Sequence, residues 1–314
     1  MGDLMHALPA LTEAKEHFKE IEFDWVVDKS FSEVPKWHPA VNKIITTDHR
    51  NWKKQLLSPN SRKAFRSVIQ EINATDYDLV IDMQNNLKSA LVSFMCQHQV
   101  IGMDSKSVRE YPAHFSYNKK ISISKALHAI TRQKILLSNA LGYSTSSLND
   151  YGVSTMEFKK PSFNLPDRYV VFVQNASWKT KQWAIANWQL LVKHFDDSGI
   201  EMILPSGNEE EHQRAKQIAS FSDKAHALRP LPLNETAYIM KKAEFSVCSD
   251  TGLAHLSAVV ETPSLTLYGP TDTKLIGTEG KNQLHLVGSN NNIDSISIED
   301  VISKLPSIQL FRWR

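Results

Sequence analysis

The chain has 314 residues, room for two domains at roughly 150 residues each, and its 36 Lys plus Arg against 34 Asp plus Glu leave a formal charge of only +2. With 22% charged and 41% hydrophobic residues it is neither disordered nor a bulk nucleic-acid binder. The 11 glycines, about half the usual ~7% usage, form no G-x-G-x-x-G or G-x-x-x-x-G-K-[ST], and C-x-x-C, H-E-x-x-H and G-x-S-x-G are also absent.

Strand-like and helix-like segments alternate along the whole chain, which predicts an α/β fold with mainly parallel sheets. An amphipathic stretch at 4–20 comes first, followed by short β-rich runs at Phe23–Val27 and Lys43–Thr46 and a helical stretch at 60–73. Tyr77–Asp82 reads as a strand and 86–97 as a helix. After a weakly periodic segment, Tyr169–Val173 opens a second series, with strands at Met202–Leu204, Phe245–Cys248, Leu265–Tyr268 and Leu284–Val287. Helical stretches at 184–198, 209–221 and 252–260 separate them, and a helix near 297–305 closes the series. Prolines at 161 and 166 punctuate the junction, giving an N-terminal domain 1–160 and a C-terminal domain 161–314. Cys96 and Cys248, far apart in apolar runs, read as buried free thiols of a reducing compartment. No structural metal is expected. No apolar run reaches ~18 residues and no cleavable leader is present, so neither a membrane span nor a secretion signal is expected.

Several segments could carry chemistry. Asp3 heads the first helix, either as an N-cap or as a carboxylate presented as a general base. From His49 to Arg66 there are six basic residues (Arg50, Lys53, Lys54, Arg62, Lys63 and Arg66) and no acid. This is either a solvated face or a surface for a phosphate- or carboxylate-bearing partner, to which Lys88, Arg109 and Arg132 could add. Asn175–Trp183 lies between a strand and a helix, so Ser177 and Lys181 could neutralise phosphate; a solvated basic loop with inward tryptophans is the simpler alternative. The acids at 209–211 follow a strand, where an acid binds ribose in many nucleotide-binding units, or they merely enrich a helix start. Ser249-Asp250-Thr251-Gly252-Leu253-Ala254-His255 turns from strand to helix, and its unpaired amides and helix dipole make an anion site without a glycine-rich loop. The alternative there is a capped helix with a core histidine.

Taken together, Gly2-Asp3-Leu4-Met5-His6-Ala7-Leu8-Pro9, Phe23-Asp24-Trp25-Val26-Val27, Ile81-Asp82-Met83-Gln84-Asn85-Asn86-Leu87-Lys88, Arg109-Glu110, Lys181-Gln182-Trp183, Asp250-Thr251-Gly252-Leu253-Ala254-His255 and Tyr268-Gly269-Pro270-Thr271-Asp272 resemble the lipopolysaccharide heptosyltransferases of the ADP-heptose glycosyltransferase family. The stretch from Gly102-Met103-Asp104 to Asn118 looks like the type I branch rather than type II. The resemblance covers essentially the whole chain, in order.

The resemblance implies a GT-B fold, two Rossmann-like lobes with an interlobe cleft, the first holding the acceptor and the second the nucleotide sugar. It implies a metal-independent, inverting glycosyltransferase of Gram-negative inner-core synthesis, without cofactor, moving L-glycero-D-manno-heptose from ADP-heptose to the first Kdo of Kdo2-lipid A. Asp3 matches the family's proposed base. Ser177 and Lys181 would contact the ADP phosphates, Glu211 the ribose and Asp250 the heptose hydroxyls. The Thr251, Gly252 and Leu253 amides would cradle the diphosphate, with His255 nearby. Arg50, Lys53, Lys54, Lys88, Arg109 and His128 would face the acceptor. The expected protein is a cytoplasmic monomer, peripheral on the inner membrane, and Phe311-Arg312-Trp313-Arg314 is compatible with an interfacial anchor. Other readings are a different heptosyltransferase and a nucleotide-sugar or glycolipid-binding protein without turnover. In two places the sequence departs from the family. Asn85-Asn86 replaces a glycine-containing turn, and the family's opening strand and loop are missing before Gly2, so the reading frame is expected to start roughly ten residues upstream, about one strand and its loop.

Overall fold

The computed structural model describes residues 1–48 and 58–309. Two compact units result, Asp3–Val153 and Ser154–Arg314. The division falls at 153/154 rather than at the expected 160/161 because the intervening segment is stitched to the second unit. The Lys241 ammonium donates to the carbonyls of Ser154 (3.0 Å) and Met156 (3.1 Å) and lies 5.5 Å from the centre of the Phe158 ring, while Lys159 pairs with Glu235 at 2.7 Å. Prolines mark such a linker but not the side on which it packs.

In the second unit every strand is parallel. Strands β6 (Tyr169–Val173), β7 (Glu201–Leu204), β8 (Ala225–Ala227), β9 (Ser246–Ser249), β10 (Ser264–Tyr268) and β11 (Gln283–Val287) lie in the order β11-β10-β9-β6-β7-β8. This is the doubly wound order, reversing direction between β6 and β9. Tyr169-Val170-Val171-Phe172-Val173 is apolar throughout because β6 is covered on both faces, and all five residues are buried. Trp188 and Phe195 pack on Phe172, Trp183 packs edge-to-face on Trp188, and the Trp183 indole N–H donates to the Ile296 carbonyl at 2.9 Å.

The first unit opens with helix α1 (Gly2–His17), whose Ala10, Leu11 and Ala14 are buried. Its strands form two parallel sheets, β1 (Phe23–Asp28) with β2 (Val41–Thr47), and β3 (Val80–Ile81), β4 (Val100–Met103) and β5 (Lys119–Ile121) in that order. The buried core of α1 meets Phe23 and Trp25 from the first sheet, Ile81 from the second and Met83 just beyond it. Helices α2 (Pro59–Asn73) and α3 (Leu87–Met95) share a cluster with Ile45 of β2, through Val68, Ile69 and Ile72 of α2 and Val92 of α3. Helix α4 (Ala129–Leu141) ends on Gly142 at φ +82°, the left-handed closing conformation that suits glycine. Both cysteines are free; Cys248 is buried as expected, but Cys96 is only half-buried.

Candidate functional site

The carboxyl ends of adjacent β6 and β9 are the place where a doubly wound sheet binds ligand. After β9, Asp250 and Thr251 lead directly into helix α8 (Gly252–Val259). Gly252 and Leu253 are its first two residues, so their N–H groups have no partner within the helix. The Thr251 side chain makes no capping hydrogen bond, and Thr251, Gly252 and Leu253 are half-buried rather than covered. The helix start therefore presents free amides and the positive end of a dipole to an anion. His255 lies one turn further on and is buried.

The loop after β6 brings the cation. Lys181 ends a short 3-10 turn (Lys179–Lys181), and its ammonium lies 2.7 Å from Asp250 Oδ2. The Lys181 side chain is 21% exposed and that of Asp250 7%. Thr271, just beyond β10, donates its hydroxyl to the same Asp250 oxygen. One carboxylate oxygen thus receives both donors, which leaves Oδ1 as the acceptor available to a ligand hydroxyl. Trp178, largely exposed, stands 5.7 Å from the Lys181 ammonium to its ring centre. Ser177 is exposed in the same loop. Of the two loop tryptophans, only Trp183 turns inward.

Glu211 lies in the first turn of helix α6 (Glu209–Ala219), following β7. Its Oε2 accepts from the Gly207 N–H at 2.8 Å, and its own N–H donates to Asn208 Oδ1 at 2.9 Å. The carboxylate is thereby held over the turn at the end of β7. Glu209 is engaged elsewhere, accepting from Gln213 at 2.6 Å, which singles out Glu211 as the oriented acid.

In the first unit Asp3 is not the N-cap; Met1 is, and Asp3 reaches out to Arg109, Nη1 to Oδ2 at 2.7 Å. The pair is exposed, so a candidate base and a candidate acceptor cation share one open surface. Arg109 is placed by Asn85, whose carbonyl accepts from the Arg109 N–H (3.2 Å) and whose side chain accepts from the Met103 N–H (2.9 Å). Asn85 adopts φ +53°, a conformation asparagine tolerates, and so replaces the expected glycine. Asn86 then caps α3, accepting from the Lys88 and Ser89 N–H groups at 3.0 and 3.1 Å, which fixes where exposed Lys88 leaves the helix. Beneath this turn Asp82 accepts from the Gln84 and Asn85 amides and the Tyr117 hydroxyl; burial pushes its carboxyl above the usual range and those hydrogen bonds oppose the shift.

His128 is buried, and its Nδ1 accepts from the Ile130 N–H at 3.2 Å, capping α4. Arg132 turns inward to the Ser107 carbonyl, so it does not join the open basic surface. Arg50, Lys53, Lys54 and the 311–314 end lie outside the described residues. Thr271 is the contact that sequence reasoning missed, although it sits in the quoted Tyr268–Asp272 motif; a hydroxyl right after a strand beside the switch point was the available signal.

The chain as a whole is similar to known proteins. The family model described as glycosyltransferase family 9 (heptosyltransferase) matches residues 65–305. Lipopolysaccharide heptosyltransferase 1 of Escherichia coli K12 is 38% identical, covering 98% of this chain and 97% of the relative. The solved structure of E. coli heptosyltransferase WaaC with ADP superposes with a TM-score of 0.91 at 35% identity, over 98% of this chain and 96% of that one. The structure of WaaC with ADP-2-deoxy-2-fluoro heptose gives 0.87 at 34% identity with the same coverage. Both the GT-B architecture and the heptosyltransferase resemblance expected from the sequence are borne out. This chain belongs to glycosyltransferase family 9, the heptosyltransferases.

Proposed function

We propose that this heptosyltransferase moves L-glycero-D-manno-heptose from ADP-heptose to the first Kdo of Kdo2-lipid A, with inversion and without a metal ion. We place it at the cytoplasmic leaflet of the inner membrane, as a monomer. The observation that carries the reading is the Lys181–Asp250–Thr271 network beside the open N-terminus of α8. It offers one ammonium and free amides for a diphosphate, with a carboxylate oxygen next to them for a sugar hydroxyl. Relatives crystallised with ADP and with a fluorinated ADP-heptose support the choice of donor.

On this reading, an acceptor hydroxyl of Kdo attacks the anomeric carbon of the heptose. The bond from that carbon to the β-phosphate oxygen breaks, and ADP departs with the electron pair. Asp3 takes the acceptor proton, while Lys181 and the Gly252 and Leu253 amides stabilise the charge growing on the diphosphate. Glu211 accepts from a ribose hydroxyl. The Arg109 guanidinium, already engaged by a carboxylate, binds an acceptor carboxylate in the same manner. Amides and an ammonium supply the electrostatic stabilisation that a divalent cation supplies in other phosphate-leaving reactions.

The test is a transfer assay with ADP-heptose and Kdo2-lipid A, run with and without EDTA. Equal release of ADP and of a lipid one heptose heavier, insensitive to EDTA, is the expected result. Binding of ADP-heptose with no transfer would refute turnover and favour the binding-protein reading. Loss of transfer in EDTA would refute the metal-independent step.

A further inference from the structure

Helix α3 is amphipathic in the opposite sense from an ordinary surface helix. Its buried side uses small residues and one valine, namely Ala90, Val92 and Ser93, while Leu87, Leu91, Phe94 and Met95 recur at intervals of four, three and one along the exposed side. Packed against α3 is the 3-10 helix Tyr111–Ser116, which adds exposed Tyr111 and Phe115, their rings edge-to-face at 6.2 Å. These six large apolar side chains are between 45% and 70% exposed. An apolar concentration of this kind marks an interaction surface, not ordinary scatter.

The neighbourhood supplies the charge. Helix α2 lies beside α3, sharing the cluster around Val92, and the two helix ends are pinned where Asn73 donates to the Met95 carbonyl at 3.2 Å and accepts from the Gln97 N–H at 3.0 Å. Along α2, Arg62, Lys63 and Arg66 are exposed, and residues 59–70 contain no acid. Lys88 adds a cation within the apolar stripe itself. The nearby carboxylate of Glu110 is turned back to accept from the Leu87 N–H at 2.8 Å.

We infer that the α3 face, with Tyr111 and Phe115, is the surface by which this protein rests on an anionic bilayer. Leu87, Leu91, Phe94 and Met95 enter the headgroup boundary, the two aromatic rings lie at the interface, and the cations of α2 meet anionic headgroups. Aliphatic and aromatic side chains flanked by Arg and Lys are the combination that holds a helix in the plane of a membrane interface. Among the described residues no helix is long and apolar enough to cross a membrane, so this attachment lies on the surface. The inference deepens the proposal of a lipid-borne acceptor by naming the contacting face.

Cosedimentation with vesicles tests it, using phosphatidylcholine alone and an equal mixture of phosphatidylcholine and phosphatidylglycerol, with neither donor nor acceptor present. The expected result is that the wild type partitions at least about tenfold more onto the mixed vesicles, and that Leu91→Ser combined with Phe94→Ser cuts this at least about tenfold. Arg62→Gln, Lys63→Gln and Arg66→Gln together should remove the preference for the anionic lipid. Unchanged circular dichroism and melting temperature keep the variants interpretable. A wild type that binds no vesicle, or a serine variant that binds like the wild type, overturns the inference. So does concentration-dependent self-association of the wild type that the serine variant lacks, because a second copy then covers the face. The transfer reaction is scored separately on detergent-dispersed acceptor, so failure of vesicle binding and failure of heptose transfer are distinguishable.

Discussion

Replacing Asp250 by Asn should strengthen the binding of ADP and lower the affinity of the full donor relative to ADP. In the free protein the Lys181 ammonium is committed to Asp250 Oδ2 at 2.7 Å, with side chains 21% and 7% exposed. A diphosphate must draw that ammonium away from a carboxylate that also repels the incoming anion. Exposed pairs contribute about 0–1 kcal/mol and the loss of one partner of a buried pair costs about 3–5 kcal/mol; a largely but not fully shielded pair falls at about 1–2 kcal/mol. At 1.4 kcal/mol per factor of ten, ADP affinity should rise about 5- to 30-fold in Asp250→Asn. The amide keeps the shape and can still accept from Thr271, so packing is preserved. ADP-heptose gains from the same freed lysine but loses a charged acceptor for its sugar hydroxyl, so its affinity relative to ADP should fall. Calorimetric titration of wild type and variant with ADP and with ADP-heptose, acceptor omitted, measures both. A drop in ADP affinity in the variant would refute the competition and make Asp250 the group that holds Lys181 in its phosphate-binding position.

Three further outcomes follow from particular contacts. Asp3→Ala should lower kcat at least ~10²-fold, the scale of a lost general base, with ADP affinity unchanged; wild-type turnover with Kdo2-lipid A would remove Asp3 from the base role. His38 is buried, with Nδ1 accepting from the Ala40 N–H at 3.1 Å and Nε2 beside Thr12 Oγ1 at 2.9 Å, and burial depresses its pKa from 6.5 to about 4 despite the opposing charge of Asp150. The unfolded chain then binds the proton first, so stability should fall as pH drops from 6.5 toward 4, by up to about 3 kcal/mol. Urea titrations of wild type and His38→Gln across that range should show the variant with the shallower pH slope; parallel slopes would exclude His38 as the source. Gly152→Ala should destabilise the first unit by roughly 2–3 kcal/mol, because the backbone is at φ +69° and a Cβ there would stand 2.5 Å from His38 Nε2. A melting temperature within a degree or so of wild type would contradict that contact.

What was legible in the sequence was local. The turn from β9 into α8 is written in consecutive residues, so Asp250-Thr251-Gly252-Leu253 could be read as an anion site before any fold was known. The Lys181–Asp250 pair joins residues from two loops and depends on β6 lying beside β9, which no spacing reveals. Asp3 has the same history: a carboxylate in a first helical turn suggests a cap, and only the Asn85 turn, which sets Arg109 in place, shows why it reaches outward instead. Asn85 itself was readable as an anomaly but not as its own solution, since a left-handed asparagine resembles any other asparagine in sequence. Periodicity located α3 correctly, yet periodicity marks an apolar stripe without saying which side faces solvent. The strands at Val100–Met103, Lys119–Ile121 and Ala225–Ala227 are three or four residues long, too short for alternation to register.

The exposed ring of Trp178 has a practical consequence for work on this enzyme. Among the described tryptophans, Trp37, Trp183 and Trp188 are almost fully enclosed and Trp25 is half-buried in the first unit, so their emission is a largely shielded background. Trp178, by contrast, stands in water within 5.7 Å of the cation proposed to receive the diphosphate. When Lys181 changes partner, the field at that indole changes too, which gives the donor loop an intrinsic optical reporter for stopped-flow measurement of ligand arrival and departure without a label.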